Sequence, residues 1–391
     1  AIHNFQSVID IDPNHVEGHV HLGSNYAKLE RSEEALGEFQ AALDLDPDRE
    51  QTYYRRGVTY GDLGLFQEGL KSLQKALNLN PNHLDTLLQL GRFNSILGNY
   101  QEAANHLNKL LKLAPNYSEV GLLSGKNLVE LNQFKSALPH LEKAVQQQPD
   151  SFEAQFYLGL NLIRLNRSAD AIAPFQKAVK IKPESALTFN HLGQTFQKLK
   201  MYPEAIFSYK QATRIEPNFT DAYNQLGTLY TFQKNYEMAI KMFQGAVQSN
   251  QKFQSGYLNL GMIYEILGRH PEAIEQYNNI LALNPDHQKA LLNLGWVMMD
   301  ENRFMEAIPP LKHAIDLNLE NTDAHYTLGL VFGRLKRYQD AQDQYQKVLQ
   351  LDPNHTGAYE RMALTEKAMK STTVSTQKNV FHDEQNIILV P

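Results

Sequence analysis

The chain has 391 residues, of which 42% are hydrophobic and 20% charged, and its net charge is −6. This composition is ordinary for a folded protein in water. The absence of cysteine excludes disulfides and cysteine catalysis but leaves the compartment open. Because there is no lysine- or arginine-rich run and no unbroken apolar stretch of membrane-spanning length, the sequence predicts neither nucleic-acid binding nor membrane insertion.

Residues 1–15 predict one amphipathic helix followed by a proline. Phe5 and Pro13 have the spacing that recurs in the second half of every later unit. We therefore interpret this segment as the second helix of an incomplete repeat. Because Ile2, Phe5 and Ile9 would lack a neighbour on their upstream side, we expect the chain to be a fragment of a longer protein.

A period of 34 residues runs through residues 16–355. A glycine marks the same phase of ten units, at Gly23, Gly57, Gly91, Gly125, Gly159, Gly193, Gly227, Gly261, Gly295 and Gly329. A small residue, usually alanine, follows each glycine by 12 positions, a large apolar residue comes four positions later, and proline closes most units. A constant period of this length is typical of a small structural unit stacked many times.

Each unit predicts two amphipathic helices, because apolar residues recur three, four and seven positions apart. The small residues should let the paired helices approach closely, and the closing proline should stop the second helix. Pro203 and Pro271 fall in the first turn of a second helix, where proline is tolerated. Pro309 and Pro310 lie deeper, so we expect them to delay or distort the second helix of the ninth unit.

Residues 356–370 continue the period for one more helix, whose polar surface suits a solvating end cap. Residues 371–391 break the period. Their first part, 371–376, is rich in hydroxyl side chains and predicts a linker. The apolar run 387–390 is unusual for a solvated tail, so we predict that the tail docks on a groove of the repeats, in its own chain or a neighbouring one. A poorly ordered terminus is the alternative.

The residue pattern resembles the tetratricopeptide repeat, whose order is aromatic, Leu-Gly, aromatic, Ala, large apolar, Ala and Pro. The seventh unit carries all of these but the proline, at Tyr223, Leu226, Gly227, Tyr230, Ala239, Phe243 and Ala246. The resemblance covers nearly the whole chain. It implies an all-α fold, a right-handed superhelical solenoid of antiparallel helix pairs, and says little about function because such repeats serve many partners.

The same resemblance implies a set of partner-binding residues. In the family the first helix of each unit lines the concave surface, and the residues next to the Leu-Gly pair point into it. Carried over, this predicts that a protein or peptide partner, as an extended segment or a helix, contacts Tyr54, Leu88, Leu122, Leu123, Phe156, Tyr157, Leu160, Asn190, Gln225, Asn259, Asn293, Trp296 and Tyr326. The middle of this set is apolar, as partner sites often are, and tryptophan is enriched at binding hot spots. The alternative is that these residues pack between neighbouring first helices.

No motif in the chain predicts catalysis, a cofactor or a metal site. Residues 121–126 superficially look like a nucleotide-binding loop, but the glycine required one position earlier is Val120. His15, His19 and His21 lie close together without a fixed carboxylate or fourth ligand, so capping or solvent-facing roles are the simpler interpretation. We therefore predict a non-enzymatic interaction scaffold without a cofactor or metal.

Two specialised uses of these repeats fit poorly. A chaperone-type carboxylate clamp needs a defined set of Lys, Asn and Arg in three consecutive repeats, and Lys289 and Asn293 supply only a fragment of it. The asparagine ladder of the sugar transferase that modifies nuclear proteins would retain only Asn259 and Asn293 as two rungs.

Two other classes of function stay open. The chain could be a targeting or assembly module of a larger enzyme or secretion machine, such as a glycosyltransferase-like or polysaccharide-export system. It could also be a self-assembling array, joined through the N-terminal half-repeat or the C-terminal tail. The compartment is open between the cytoplasm, which we take first, and the periplasm or secretory pathway, since cysteine is absent and the first repeat is incomplete.

Overall fold

A computed structural model of the protein describes residues 2–117 and 119–384, with side chains as far as residue 370. These residues form 22 α-helices and no β-strand, which confirms the predicted all-α fold of helix pairs. The helices fall into two compact units, Ala1–Ser208 (unit 1) and Tyr209–Pro391 (unit 2), and the boundary lies within helix α13.

The described helices follow the 34-residue period. A single helix, α1, spans Ile2–Ile11. The first helices of the pairs are α2 (Val16–Lys28), α4 (Glu50–Asp62), α6 (Leu84–Ile96), α8 (Val120–Glu130), α10 (Phe152–Arg164), α12 (Ala186–Lys198), α14 (Thr220–Phe232), α16 (Gln254–Ile266), α18 (Gln288–Asp300) and α20 (Thr322–Arg334). The second helices are α3 (Ser32–Leu45), α5 (Phe66–Leu79), α7 (Tyr100–Leu113), α9 (Phe134–Gln147), α11 (Ser168–Ile181), α13 (Tyr202–Ile215), α15 (Tyr236–Ser249), α17 (His270–Leu283), α19 (Phe304–Leu317) and α21 (Tyr338–Leu351). The last helix, α22, spans Thr356–Glu384.

The recurring glycines allow the two helices of a pair to touch. A β-carbon added at Gly125 would lie 2.5 Å from Cδ2 of Leu141, and one added at Gly295 would lie 2.4 Å from Cγ of Leu311. Both leucines are fully buried. The close approach predicted from the small residues is therefore present, and the glycine makes it with the large apolar residue 16 positions later.

The turn between the two helices of each pair contains one residue in the left-handed region. This residue recurs with the same period, with φ between 56° and 78°, at Glu30, Gly64, Gly98, Asn132, Asn166, Lys200, Lys234, Gly268, Asn302 and Lys336. At Lys200 the backbone N–H donates to the carbonyl of Gln197 (3.0 Å), and the next N–H, of Met201, donates to Phe196 (2.9 Å). These two bonds satisfy carbonyls that the end of α12 leaves free, and they impose the left-handed conformation.

The expectation for the ninth pair was wrong. Helix α19 begins at Phe304 and has the same 14 residues as the other second helices, with Pro309 and Pro310 inside it. Ala307, Leu311 and Ala314 on its buried face are completely inaccessible to solvent. Because packing supplies most of the stability of a helix in a folded protein, this contact holds α19 helical despite two missing N–H donors. Pro271 lies in the first turn of α17, as predicted.

The predicted linker at 371–376 was also wrong, because the backbone of α22 continues helically to Glu384. The predicted docking of the tail rests on side chains after residue 370 and on residues 385–391, which lie outside the described part of the chain. It therefore stays untested.

Candidate partner-binding surfaces

In unit 1 most of the predicted partner-binding side chains are half-buried on the first helices. They are Tyr54 on α4, Leu122 and Leu123 on α8, and Phe156, Tyr157 and Leu160 on α10. Tyr54 and Leu123 also pack against a buried hydrophobic cluster that includes Leu73, Leu90 and Leu107. Part of each side chain therefore packs within the repeats, and the rest is exposed to solvent.

Two predicted residues of unit 1 are not available to a partner. Leu88 is only 4% exposed and belongs to the same hydrophobic cluster, where it packs near Leu87 and Leu90. Asn190 is 3% exposed, and its Oδ1 atom accepts no hydrogen bond from the described residues. The packing alternative is therefore correct at these two positions.

Phe156 belongs to an aromatic cluster. Its ring centroid lies 5.8 Å from Phe152, 6.0 Å from Phe175 and 5.7 Å from His191, and His191 in turn stacks on Phe175 at 5.9 Å with an interplanar angle of 11°. Burial lowers the pKa of His191 and outweighs the hydrogen bond with Gln194, which raises it, while the charge of Arg164 acts in the same direction as burial. The imidazole is therefore neutral and behaves as one more aromatic ring, which makes Phe156 chiefly a packing residue.

Next to this cluster, unit 1 has an open pocket of about 230 Å³. Leu122 and Leu123 form its apolar floor, and Arg92, Glu119 and Lys126 stand around it. Arg92 is ion-paired with Glu119, and the Lys126 ammonium lies 5.0 Å from the centroid of the Tyr157 ring. Apolar surface bordered by fixed charges can bind a side chain and orient the backbone that carries it.

In unit 2 the predicted asparagines are already hydrogen-bonded within the protein. Asn259 Nδ2 donates to Asn224 Oδ1 at 3.0 Å, and Asn293 Nδ2 donates to the Tyr277 hydroxyl at 3.2 Å. That hydroxyl donates to Glu265 Oε1 at 2.6 Å. Burial raises the pKa of Glu265. The two asparagines thus hold neighbouring repeats and helices together.

The remaining predicted residues of unit 2 differ in exposure. Gln225 is half-buried. Tyr326 packs against His355, with ring centroids 4.7 Å apart, and against Tyr345 at 6.1 Å. Trp296 is 44% exposed and borders a pocket with residues of the neighbouring helices. Of these three, Trp296 offers a partner the largest free surface.

Sequence reasoning missed two exposed apolar residues of unit 2. Phe232 at the end of α14 is 67% exposed, and Ile266 at the end of α16 is 57% exposed. Both stand five positions after the recurring glycine, whereas the predicted contact residues were chosen from the neighbours of the Leu-Gly pair. Most other units have a charged residue there, such as Arg164 or Asp300, and that contrast was a usable signal.

The histidines near the N-terminus have three separate structural roles. His15 caps α2, because its Nδ1 accepts from the N–H of Gly18 at 2.9 Å. His19 bridges Glu38 (2.6 Å) and the carbonyl of Pro13 (3.0 Å), and His21 stacks on Phe5 at 5.1 Å. Within the described residues, no three His, Asp or Glu side chains converge on a possible metal position.

Comparison with known families decides the identity of the repeats. Models described as Tetratricopeptide repeat match residues 16–49, 48–116, 122–186, 186–219, 208–241, 255–287 and 322–355, well over half of the chain. The chain belongs to the tetratricopeptide repeat family. Tetratricopeptide repeats are protein-interaction modules, so the coarse prediction of an interaction scaffold is supported.

One solved structure agrees with this chain on the tetratricopeptide fold, and two others are reported as similar chains. The C-terminal part of a repeat-containing protein from Cytophaga hutchinsonii is 15% identical and matches 62% of this chain and 99% of its own, with a TM-score of 0.55. YrrB, described as a tetratricopeptide repeat protein with an unusual peptide-binding site, is 20% identical over 48% of this chain and 96% of its own (TM-score 0.44). MamA 41-end from Desulfovibrio magneticus RS-1 is 28% identical over 43% and 94% (TM-score 0.41). No curated protein matches the chain.

None of the helices in the described part of the tetratricopeptide chain combines the length and apolar character needed to cross a membrane.

Proposed function

We propose that the protein is a non-enzymatic scaffold that binds an extended segment or a helix of a partner protein across the first helices of unit 1. The observation that carries this proposal is the pocket beside α8, where Leu122 and Leu123 form an apolar floor between Arg92, Glu119 and Lys126. Apolar side chains that stay in contact with water contribute no hydrophobic stabilisation. A bound side chain would bury the two leucines and so gain that free energy.

The groups around the pocket have distinct roles in this proposal. The leucines take an apolar side chain of the partner, and Lys126 and Arg92 are placed to contact its carbonyl groups or carboxylates. Burial raises the pKa of Tyr157, so its phenol stays protonated and can donate a hydrogen bond. Leu160, half-buried on the same helix as Tyr157, extends the apolar surface.

The test uses the double substitution Leu122→Ser and Tyr157→Ser in the whole chain. We expect affinity capture followed by mass spectrometry to lose partner proteins that the unsubstituted chain retains. Phe156 is left unchanged because it belongs to the aromatic cluster, where a serine would weaken the fold itself.

The matched control is Leu113→Ser, which removes an exposed leucine at the end of α7 in the same unit. This variant should capture the same proteins as the unsubstituted chain, and melting curves should show that all variants are folded. Equal capture by the double variant and the control would argue against a partner site at this pocket.

A further inference from the structure

We propose that a pocket in unit 2, lined by Trp296, Arg334 and Arg361, is a second partner site that selects an acidic segment carrying a bulky apolar side chain. The site uses none of the residues of the unit 1 pocket. It therefore goes beyond the function proposed above and can fail or succeed independently of it.

The pocket has a volume of about 480 Å³ and is built by helices of unit 2 alone. Trp296 on α18, Leu330 on α20 and Leu364 on α22 supply its apolar surface. Trp296 and Leu364 are both exposed. Aromatic and leucine surface that stays exposed on a folded protein is a common mark of a binding site, and tryptophan is prominent among hot spots.

The pocket has an excess of positive charge, with two arginines and one aspartate among its lining residues. Two exposed arginines of unit 2 are ion-paired within their own helix or its cap, Arg303 with Glu306 and Arg337 with Asp340. Within the described residues, Arg334 and Arg361 form no ion pair. The pocket's one lining carboxylate, Asp300, lies 3.4 Å from Nε2 of His270.

Two free guanidinium groups beside apolar surface specify the chemistry of the ligand. Guanidinium groups prefer carboxylates, to which they can donate two parallel hydrogen bonds. A small anion alone would leave Trp296, Leu330 and Leu364 exposed, and a purely apolar segment would leave both arginines without a partner. A peptide with a carboxylate close to a large apolar side chain satisfies both halves of the pocket.

Tyr345 adds a neutral hydrogen-bond donor to the same pocket. Its ring is buried, but its hydroxyl makes no hydrogen bond within the described residues. A β-carbon added at Gly333 would stand 3.7 Å from this hydroxyl, so the glycine leaves the oxygen room. Burial raises the pKa of Tyr345 to about 12, and the group can therefore donate to a ligand oxygen at neutral pH.

The protein contains its own reporter for this site, because Trp296 is the only tryptophan of the chain. The experiment titrates the full chain with a short peptide of alternating aspartate and leucine and follows tryptophan fluorescence. We expect a saturable change. Matched peptides of alternating asparagine and leucine, or aspartate and serine, should bind at least about tenfold more weakly, because each lacks one of the two required features.

Substitutions identify the residues responsible. Arg334→Gln and Arg361→Gln should each weaken binding of the aspartate–leucine peptide about five- to tenfold, and Asp300→Asn should tighten it. The control is Arg214→Gln, which removes the same charge from an exposed arginine of unit 2 that does not line the pocket. It should leave the titration unchanged, and melting curves of all variants should confirm folding.

The proposal is overturned if the asparagine–leucine peptide binds as tightly as the aspartate–leucine peptide, or if Arg334→Gln and Arg361→Gln bind like the Arg214→Gln control. A preference for a lysine–leucine peptide would make Asp300 the anchor and would equally contradict it. The Leu122→Ser and Tyr157→Ser variant should keep the fluorescence change, because its substitutions lie outside the unit 2 pocket. The outcome of the unit 1 capture experiment therefore does not affect this test.

Discussion

Single residues of this protein are constrained by how closely the two helices of each pair approach. Gly125 and Leu141 illustrate the constraint, because no room exists for even one methyl group between them. The sequence was sufficient to predict such contacts, since a glycine conserved in phase through ten units has no other common explanation. It was not sufficient to separate Leu88 from Leu122, because both stand at the same phase and only the neighbouring side chains decide which of them is buried.

Substitution of Gly125 by alanine should destabilise unit 1 by about 1–3 kcal/mol, because the added methyl group would force the fully buried Leu141 to move. Chemical denaturation of the two proteins side by side measures the difference. The control is Gly37→Ala on α3, where a β-carbon would meet nothing within 4 Å. There the gain in helix propensity should stabilise by about 0.5–1 kcal/mol, and equal effects at both positions would contradict the close contact.

The aromatic cluster of unit 1 should make stability depend on pH. Burial lowers the pKa of His191 in the folded state, so the unfolded chain takes up the proton first when the pH falls. Stability from this group is therefore complete above the ordinary pKa of histidine and decreases as the pH falls from there towards the lowered folded value.

Thermal melts of the unsubstituted chain and of His191→Phe, between neutral pH and about pH 5, test this dependence. Phenylalanine should preserve the stacking on Phe175 and remove this part of the acid sensitivity. The two proteins should therefore differ more at low pH than at neutral pH. If their melting temperatures shifted in parallel over the whole range, His191 would not be the responsible group.

At the scale of the helix, packing overrides local preference. The sequence predicted helix pairs throughout. The prediction for α19 was wrong because it relied on two prolines and neglected the buried face of the helix. Pro309 and Pro310 made α19 look distorted, yet Ala307 and Leu311 keep it in place. The hydroxyl-rich segment 371–376 is a separate case, because it looked like a linker and its backbone continues α22 instead. Propensity alone does not report which face of a segment finds a partner.

Helix α19 should be destabilised by its internal prolines, and replacing one of them should raise the free energy of unfolding. Pro310→Ala restores an N–H donor within the helix and relieves the restriction on the preceding residue, so it should stabilise the protein by up to about 3 kcal/mol. Differential scanning calorimetry or urea denaturation would measure the change. Pro271→Ala is the control, because proline in the first turn of α17 sacrifices no helical hydrogen bond and its replacement should be nearly neutral.

At the scale of the whole molecule, the same helix pair recurs along the chain, and within each of the two units most contacts join helices that are adjacent in sequence. The period predicted this architecture because every unit repeats the same packing residues. It did not predict the binding surfaces, because these depend on non-repeating residues. Trp296 was singled out through its residue type, whereas Arg334 and Arg361 could be proposed as ligand contacts only because three helices place them at the same pocket as the tryptophan.

A local change should therefore have a local effect. In Gly125→Ala, hydrogen exchange followed by mass spectrometry should show faster exchange in α8, α9 and the adjacent pairs, with protection in α18–α21 unchanged. The Gly37→Ala protein provides the reference for changes unrelated to strain. Uniform loss of protection along the whole chain would mean that the repeats unfold as one cooperative block.

The left-handed residue in the turn within each helix pair gives this protein several positions at which its thermal stability can be raised. Glycine accepts that conformation freely, yet only Gly64, Gly98 and Gly268 use it, while Lys200, Lys234 and Lys336 hold a side chain there. Each lysine-to-glycine exchange should gain on the order of 1 kcal/mol, and distant sites should add. Successive lysine-to-glycine substitutions should therefore raise the melting temperature of the protein without changing any residue of the two proposed binding pockets.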